Sequence, residues 1–246
     1  MLTPNAGKKL EAVVSGVTYL RLPIRTRLIE AGDDLMELLK EYVAPHIRPG
    51  DLLFVSEKIV CICQNRIIHR DAVKTGWLAR FLSGKVRNYA GTPQFRGLGH
   101  GTAPAMQLLI EEAGYPRTLF AAVVSAVTRP LGINGAFYYL VGKQAKSIDC
   151  PMSWTIAEFK DYAKRAPLKP NNMAREIKNK FGVETVIVDA NYRGAFSLGK
   201  STNAISEKFI RELLRDNPAG QDSEMTPFFI VRENRQPPDR HVVSIS

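Results

Sequence analysis

Cysteine is scarce here, with three residues in 246. Three thiols cannot all pair. Cys61 and Cys63 stand one residue apart on an apparent strand, without the CxxC spacing of a redox or metal motif. A disulfide framework is thereby excluded, and a reducing, cytoplasmic setting is the expectation. Three cysteines and four scattered histidines offer no structural zinc spacing. No apolar run approaches the roughly 18 residues of a membrane helix, so no membrane partner is expected. The opening MLTPNAGKKLEAVVSG has no apolar signal core. A Gly-x-Ser-x-Gly elbow is missing too, and with it any sign of a serine triad.

What is present suits a globular chain, 45% hydrophobic and 24% charged. A chain of this length buries roughly three-quarters of the surface it exposes unfolded, so it needs no covalent staples. Lys and Arg outnumber Asp and Glu by 34 to 24, a net charge of +10. The excess concentrates in residues 56–96, where Lys58, Arg66, Arg70, Lys74, Arg80, Lys85, Arg87 and Arg96 face only Glu57 and Asp71. That stretch reads as a surface for phosphates. It lacks the interleaved aromatics of a single-strand reader, so nucleic acid is not the expected partner.

Hydrophobic patterning predicts a mixed α+β fold. Strands are expected over 13–24, 51–56, 59–63, 135–141, 184–189 and 227–232. Helices are expected after Gly32-Asp33-Asp34 and over 72–83, 102–112, 154–165, 171–181 and 203–215. The apolar run 118–127 fits either. Residues 1–12 read as a flexible N-terminus, 13–232 as one domain with a helical segment at about 151–182, and 233–246 as a mobile tail. The Gly- and Arg-rich stretch 84–102 is long for a structureless loop and reads as functional.

Three constellations carry chemistry. Gly194 to Ser201 (GAFSLGKS) matches the phosphate-cradling pattern, in which Lys200 would reach phosphates and Ser201 a magnesium ion. Too little chain follows for the rest of a nucleotide-hydrolase sheet, so chance or local anion binding is the favoured reading of that match. Asp189, at the carboxyl end of a buried strand and followed by Asn191 and Arg193, can hold a divalent cation beside a phosphate. Asp149, before the Cys150-Pro151 turn, can supply a second carboxylate and Glu224 a third. His100, in a glycine-rich loop, and Gln221, beside Glu224, are candidate substrate contacts.

Five separated stretches, in order, resemble the coenzyme F420-0:γ-glutamyl ligase family. Leu22-Pro23 with Gly32-Asp33-Asp34-Leu35 is similar to its "GLP … GDDL" opening. Gly50 to Ser56, with Lys58 and Arg66, resembles its "GDVLVV-ThrSerLys … EGR" segment. Ser147-Ile148-Asp149 stands for "AGID", Val186 to Asp189 with Arg193 for "VIISDTxGR", and Ser197-Leu198-Gly199 for "AIG". Departures fall at Ile62, Gln64, Ala190 and the Cys150-Pro151-Met152 run. The resemblance implies an intertwined homodimer of the family's own α+β type. It implies a GTP-dependent (or ATP-dependent) ligase that activates an anionic acceptor's carboxylate as an acyl phosphate and joins L-glutamate to it. By position, Asp149 and Asp189 would hold magnesium or manganese, and Lys58, Arg66 and Arg193 would meet phosphates. A phosphate-loop nucleotide-binding protein and a non-catalytic nucleic-acid binder are the alternatives.

Overall fold

The structure is a computed structural model that describes residues 2–86, 99–153, 155–191, 194–220 and 223–234. It is mixed α+β. A six-stranded sheet has the order β1-β2-β8-β3-β6-β7, made of β1 (Glu11–Val14), β2 (Val17–Ile24), β3 (Leu52–Ser56), β6 (Glu184–Asn191), β7 (Gly194–Lys200) and β8 (Phe228–Glu233). All neighbours are antiparallel except β3 and β6, which run parallel with Ser56 opposite Val188. A separate antiparallel ribbon pairs β4 (Ile67–His69) with β5 (Tyr162–Lys164). The chain leaves the sheet lobe through β4, builds a helical lobe, and returns through β5.

Period-two patterning sorts side chains to the two faces of the sheet. Leu53, Val55, Ile187, Phe228 and Ile230 join a cluster with α1 (Leu35–Leu38), α2 (Glu57–Cys63) and α8 (Pro170–Phe181). Phe54, Val186, Val188 and Phe229 join another with α9 (Glu207–Leu213). Phe54 and Phe229 stack at 5.0 Å between ring centroids. A third cluster fills the helical lobe, between α3 (Trp77–Ser83), α4 (Ala103–Ala113), α5 (Tyr115–Thr128), α6 (Ala136–Val141) and α7 (Lys143–Lys146).

Helix starts follow the capping chemistry read from the sequence. Asp34 accepts from the backbone N–H groups of Met36 and Glu37. Thr102 caps α4, with Pro104 in its first turn, and Ser206 caps α9. Gly182, with φ at 70°, closes α8 in the left-handed conformation.

Several sequence expectations are corrected. The strand over 13–24 is a hairpin, because Ser15 and Gly16 take positive φ and turn the chain. Residues 59–63 lie in α2, not a strand. Val60, Cys61 and Ile62 are all buried, which a two-faced strand pattern does not require and a helix end pressed between layers does. Residues 136–141 form α6, bracketed by Gly135 and Gly142 at positive φ, not a strand. The run 118–127 is helical, within α5. Residues 157–159 form a 3₁₀ turn ahead of β5, where a helix over 154–165 was expected. Asn5 is buried and donates to the Pro218 carbonyl at 2.9 Å and to Thr226 Oγ1 at 2.7 Å. Residues 235–246 of the expected tail, and 87–98 of the long Gly/Arg stretch, lie outside the described residues.

Arg21 staples the sheet's outer edge. Its guanidinium is buried, donates to the carbonyls of Leu213 and Lys9, and forms a two-pronged pair with Asp216. Burial works against the charge of Asp216, but the Arg21 hydrogen bond wins and holds its carboxyl below the usual 3.8. Asp216 is partly exposed, so Asp216→Asn should cost about 1–2 kcal/mol by urea unfolding at pH 7. That contribution is complete above the unfolded-chain value and disappears as pH falls through the depressed folded value, so wild type and variant should converge in acid.

Candidate functional site

The parallel pairing of β3 with β6 sets two chain reversals side by side at one edge of the sheet. Carboxyl ends of parallel strands are where open α/β sheets place ligands, because the backbone turns away there and leaves a crevice. Past Ser56, the first turn of α2 presents Glu57 and Lys58; past Val188, β6 presents Asp189. The helical lobe closes the opposite wall. Asp149 forms an isolated antiparallel bridge with Lys164, whose N–H donates to the Asp149 carbonyl at 2.9 Å. A cleft of about 1910 Å³ results, with Lys58, His100, Asp149, Asp189, Asn191 and Glu224 in its wall.

The charges in this cleft are mutually dependent. Lys58 Nζ lies 3.7 Å from Asp149 Oδ2 and donates to the Met152 carbonyl at 3.2 Å. Lys164, fully buried, lies 2.9 Å from Glu57 Oε2 and 3.8 Å from the same Asp149 oxygen. Burial opposes the Lys164 charge, yet Glu57 and Asp149 outweigh it and keep the ammonium firmly protonated. Burial, with Asp149 beside it, raises the Asp189 carboxyl, against the pull of Lys164 and Lys58. Asn191 Nδ2 lies 3.4 Å from Asp189 Oδ1 and steadies it. Burial also pushes the His100 imidazole down to about 4, so at neutral pH it is uncharged and sits 3.2 Å from the Ala145 carbonyl. Cys61 packs against Glu57 and donates to the Arg165 carbonyl at 3.1 Å; burial pushes its thiol up, so it is no nucleophile.

The structure thus brings together Lys58, Asp149, Asp189 and Asn191, with His100 behind them. Other candidates lie elsewhere. Arg66, at the far end of α2, is occupied by the Ala166 carbonyl at 2.9 Å and Glu112 at 2.8 Å. Gly194 to Lys200 is a strand, not a phosphate-cradling loop. Gly199 stands where it does because an added Cβ would meet the Pro170 carbonyl carbon at 2.3 Å, so the glycine lets α8 approach the sheet. Lys200 donates to the Ile205 carbonyl and Ser201 to Glu184, both remote from the acids. The loop match is therefore a packing device. Glu224 reaches the cleft wall, but no three carboxylate, imidazole or thiol groups converge on a metal position among the described residues. Asp149, Asp189 and Glu224 all line the cleft. Arg193 and Gln221 lie outside the described residues. Within the basic stretch, Arg66 and Arg70 are tied to acids and Arg80 to the Thr75 carbonyl, Lys58 and Lys85 line the cleft, and Arg87 and Arg96 lie outside the described residues.

A family model described as F420-0:gamma-glutamyl ligase matches residues 23–226. The chain belongs to the F420-0:gamma-glutamyl ligase family. No curated protein matches it. The family match spans both lobes and includes Lys58, Asp149, Asp189 and Glu224 of the cleft wall. It is a family of ligases, and the paired acids sit in the middle of its matched segment. Sequence reading missed Glu57 and Lys164, the buried pair on the cleft floor. Glu57 carried a signal, as the first residue past a buried strand. Lys164 carried none, since a lone lysine in a short run looks like solvated surface.

Burial, with Asp149 beside it, works against the Asp189 charge. An acid whose folded pKa is raised destabilises the fold above its unfolded value, and that burden vanishes in acid where both states are protonated. Asp189→Asn should therefore raise the thermal midpoint by a few degrees at pH 7 and by less at pH 4, read by calorimetry.

Proposed function

We propose that this chain is an amide-forming glutamate ligase. It would join L-glutamate to the carboxylate of a small anionic acceptor, F420-0 or another phosphate-bearing molecule, with GTP or ATP as co-substrate. The observation that carries this reading is the convergence of Asp149, Asp189 and Lys58 at the adjoining strand ends of a chain that belongs to this ligase family.

The donor chemistry fits a hard divalent cation. Mg²⁺ takes one or two carboxylates and completes its shell with water and substrate phosphates, and a pair of aspartates meets that need without a third acid. Asp149 and Asp189 would hold the ion, which when bound spreads the charge developing on phosphoryl oxygens. Lys58 offers a partly exposed ammonium to the same phosphates, held by the Met152 carbonyl at 3.2 Å and by Asp149 at 3.7 Å. In the reaction, an acceptor carboxylate oxygen attacks the terminal phosphorus and the nucleoside diphosphate departs. The glutamate amine then attacks the acyl carbon, inorganic phosphate leaves, and the amine gives up a proton. Positioning and charge neutralisation account for most of such catalysis. His100 lines the cleft as a neutral imidazole. No helix among the described residues is long and apolar enough to cross a membrane.

A second copy of the chain is the proposed partner. Along α5, Leu119, Phe120, Val123 and Val127 are exposed at helical spacing, a face of the kind homodimers bury. Val123→Glu should then lower the mass seen in sedimentation to that of one chain.

Calorimetry with GTP or ATP, Mn²⁺ and the full chain tests the central claim. Micromolar binding is expected, weakened about a hundredfold by Asp149→Asn and left unchanged by Lys200→Ala. Absence of nucleotide binding with Mn²⁺ present overturns the ligase reading, and sensitivity to Lys200 in place of Asp149 would restore the phosphate-loop alternative.

A further inference from the structure

The Lys164 ammonium has two acceptors at hydrogen-bond distance, Glu57 and the Ser147 carbonyl, and a third anionic neighbour, Asp149, at 3.8 Å. They come from separate parts of the chain. Glu57 belongs to the first turn after β3, on the sheet lobe. The Ser147 carbonyl, also a hydrogen-bond partner of Lys164, belongs to the end of α7 in the helical lobe. Asp149 follows two residues later, and Lys164 grips it twice, by backbone at 2.9 Å and by ammonium at 3.8 Å. Both Lys164 and Glu57 are almost wholly buried, with side-chain exposures of 0% and 2%.

A buried ion pair of this kind is a poor source of stability, because taking two charges out of water costs about what their attraction returns. Apolar residues of the same volume would hold the lobes together as well. What an apolar pair would not do is fix direction. The ammonium draws Asp149 toward the strand ends that carry Glu57 and Asp189. With Lys58 it approaches Asp149 at Oδ2, so two cations fix that carboxylate from the protein side.

We propose that Lys164, locked by Glu57, is a positioning residue that sets Asp149 against Asp189 at the spacing a cation-bound phosphate requires. The inference rests on the ligase reading of this site and extends it to two residues outside the acid pair. Lys164 touches no substrate; it acts through Asp149.

The test is Mn²⁺ capture by the full chain, followed by electron paramagnetic resonance with and without GTP, alongside thermal unfolding. Glu57→Leu combined with Lys164→Met replaces the pair by apolar side chains. That variant should unfold within a few degrees of wild type yet lose about tenfold or more in Mn²⁺ affinity, measured with GTP present. A folded double variant with wild-type affinity overturns the proposal, because a merely structural pair leaves capture untouched. If the double variant does not fold, Glu57→Gln decides. Its neutral amide releases the ammonium toward Asp149, so Mn²⁺ affinity should drop several-fold with the fold intact, and unchanged affinity overturns the proposal. Wild-type protein that captures Mn²⁺ but binds neither GTP nor ATP defeats the ligase reading alone, and the variants then decide this proposal from Mn²⁺ capture without nucleotide. Wild-type protein that captures no Mn²⁺ under either condition overturns both.

Discussion

The parallel alignment of β3 with β6 is the constraint on which the site depends. Antiparallel neighbours turn back on opposite edges, so their terminal residues are kept apart. A parallel pair ends on one edge, and with Ser56 opposite Val188 the next residues of both strands share it. Glu57 and Asp189 are therefore neighbours although more than a hundred residues separate them in the chain. Everything between them is the crossover a parallel pair demands. Here the crossover has grown into a helical lobe, and that lobe returns Asp149 and Lys164 to the same edge.

Bringing three acids together needs compensation, and two lysines supply it in different ways. Lys58 is partly exposed, the arrangement of a group that can change partners when an anion arrives. Lys164 has no exposed surface and lies between Glu57 and Asp149, the arrangement of a fixed internal counter-charge. Burial raises the Asp189 carboxyl and the neighbouring Asp149 adds to that rise, while Lys164 and Lys58 pull against it.

The glycines and apolar faces show how local rules yield to packing. Gly199 belongs to a phosphate-loop pattern by spelling, yet its missing side chain serves the approach of α8 to β7. Residues 59–63 are β-branched and apolar enough to read as a strand, yet they form a helix because every one of Val60, Cys61 and Ile62 meets the core. Propensity is worth tenths of a kcal/mol per residue, and burial of a single such side chain is worth about 1.5–3 kcal/mol, so the packing environment decides.

Much was legible in the chain by itself: the α+β class, the buried strand that carries Asp189, the helix starts after Asp34 and at Thr102, and the ordered motifs that point to one ligase family. These are local signals or short patterns, and neighbours along the chain suffice to produce them. Tertiary structure alone decided which carboxylates share a cleft, that Arg66, Lys200 and Ser201 stand away from it, and that Glu57 meets Lys164. Such pairings depend on strand order and on where a crossover returns. A charged residue buried by contacts a hundred positions away looks, in the sequence, the same as one in water.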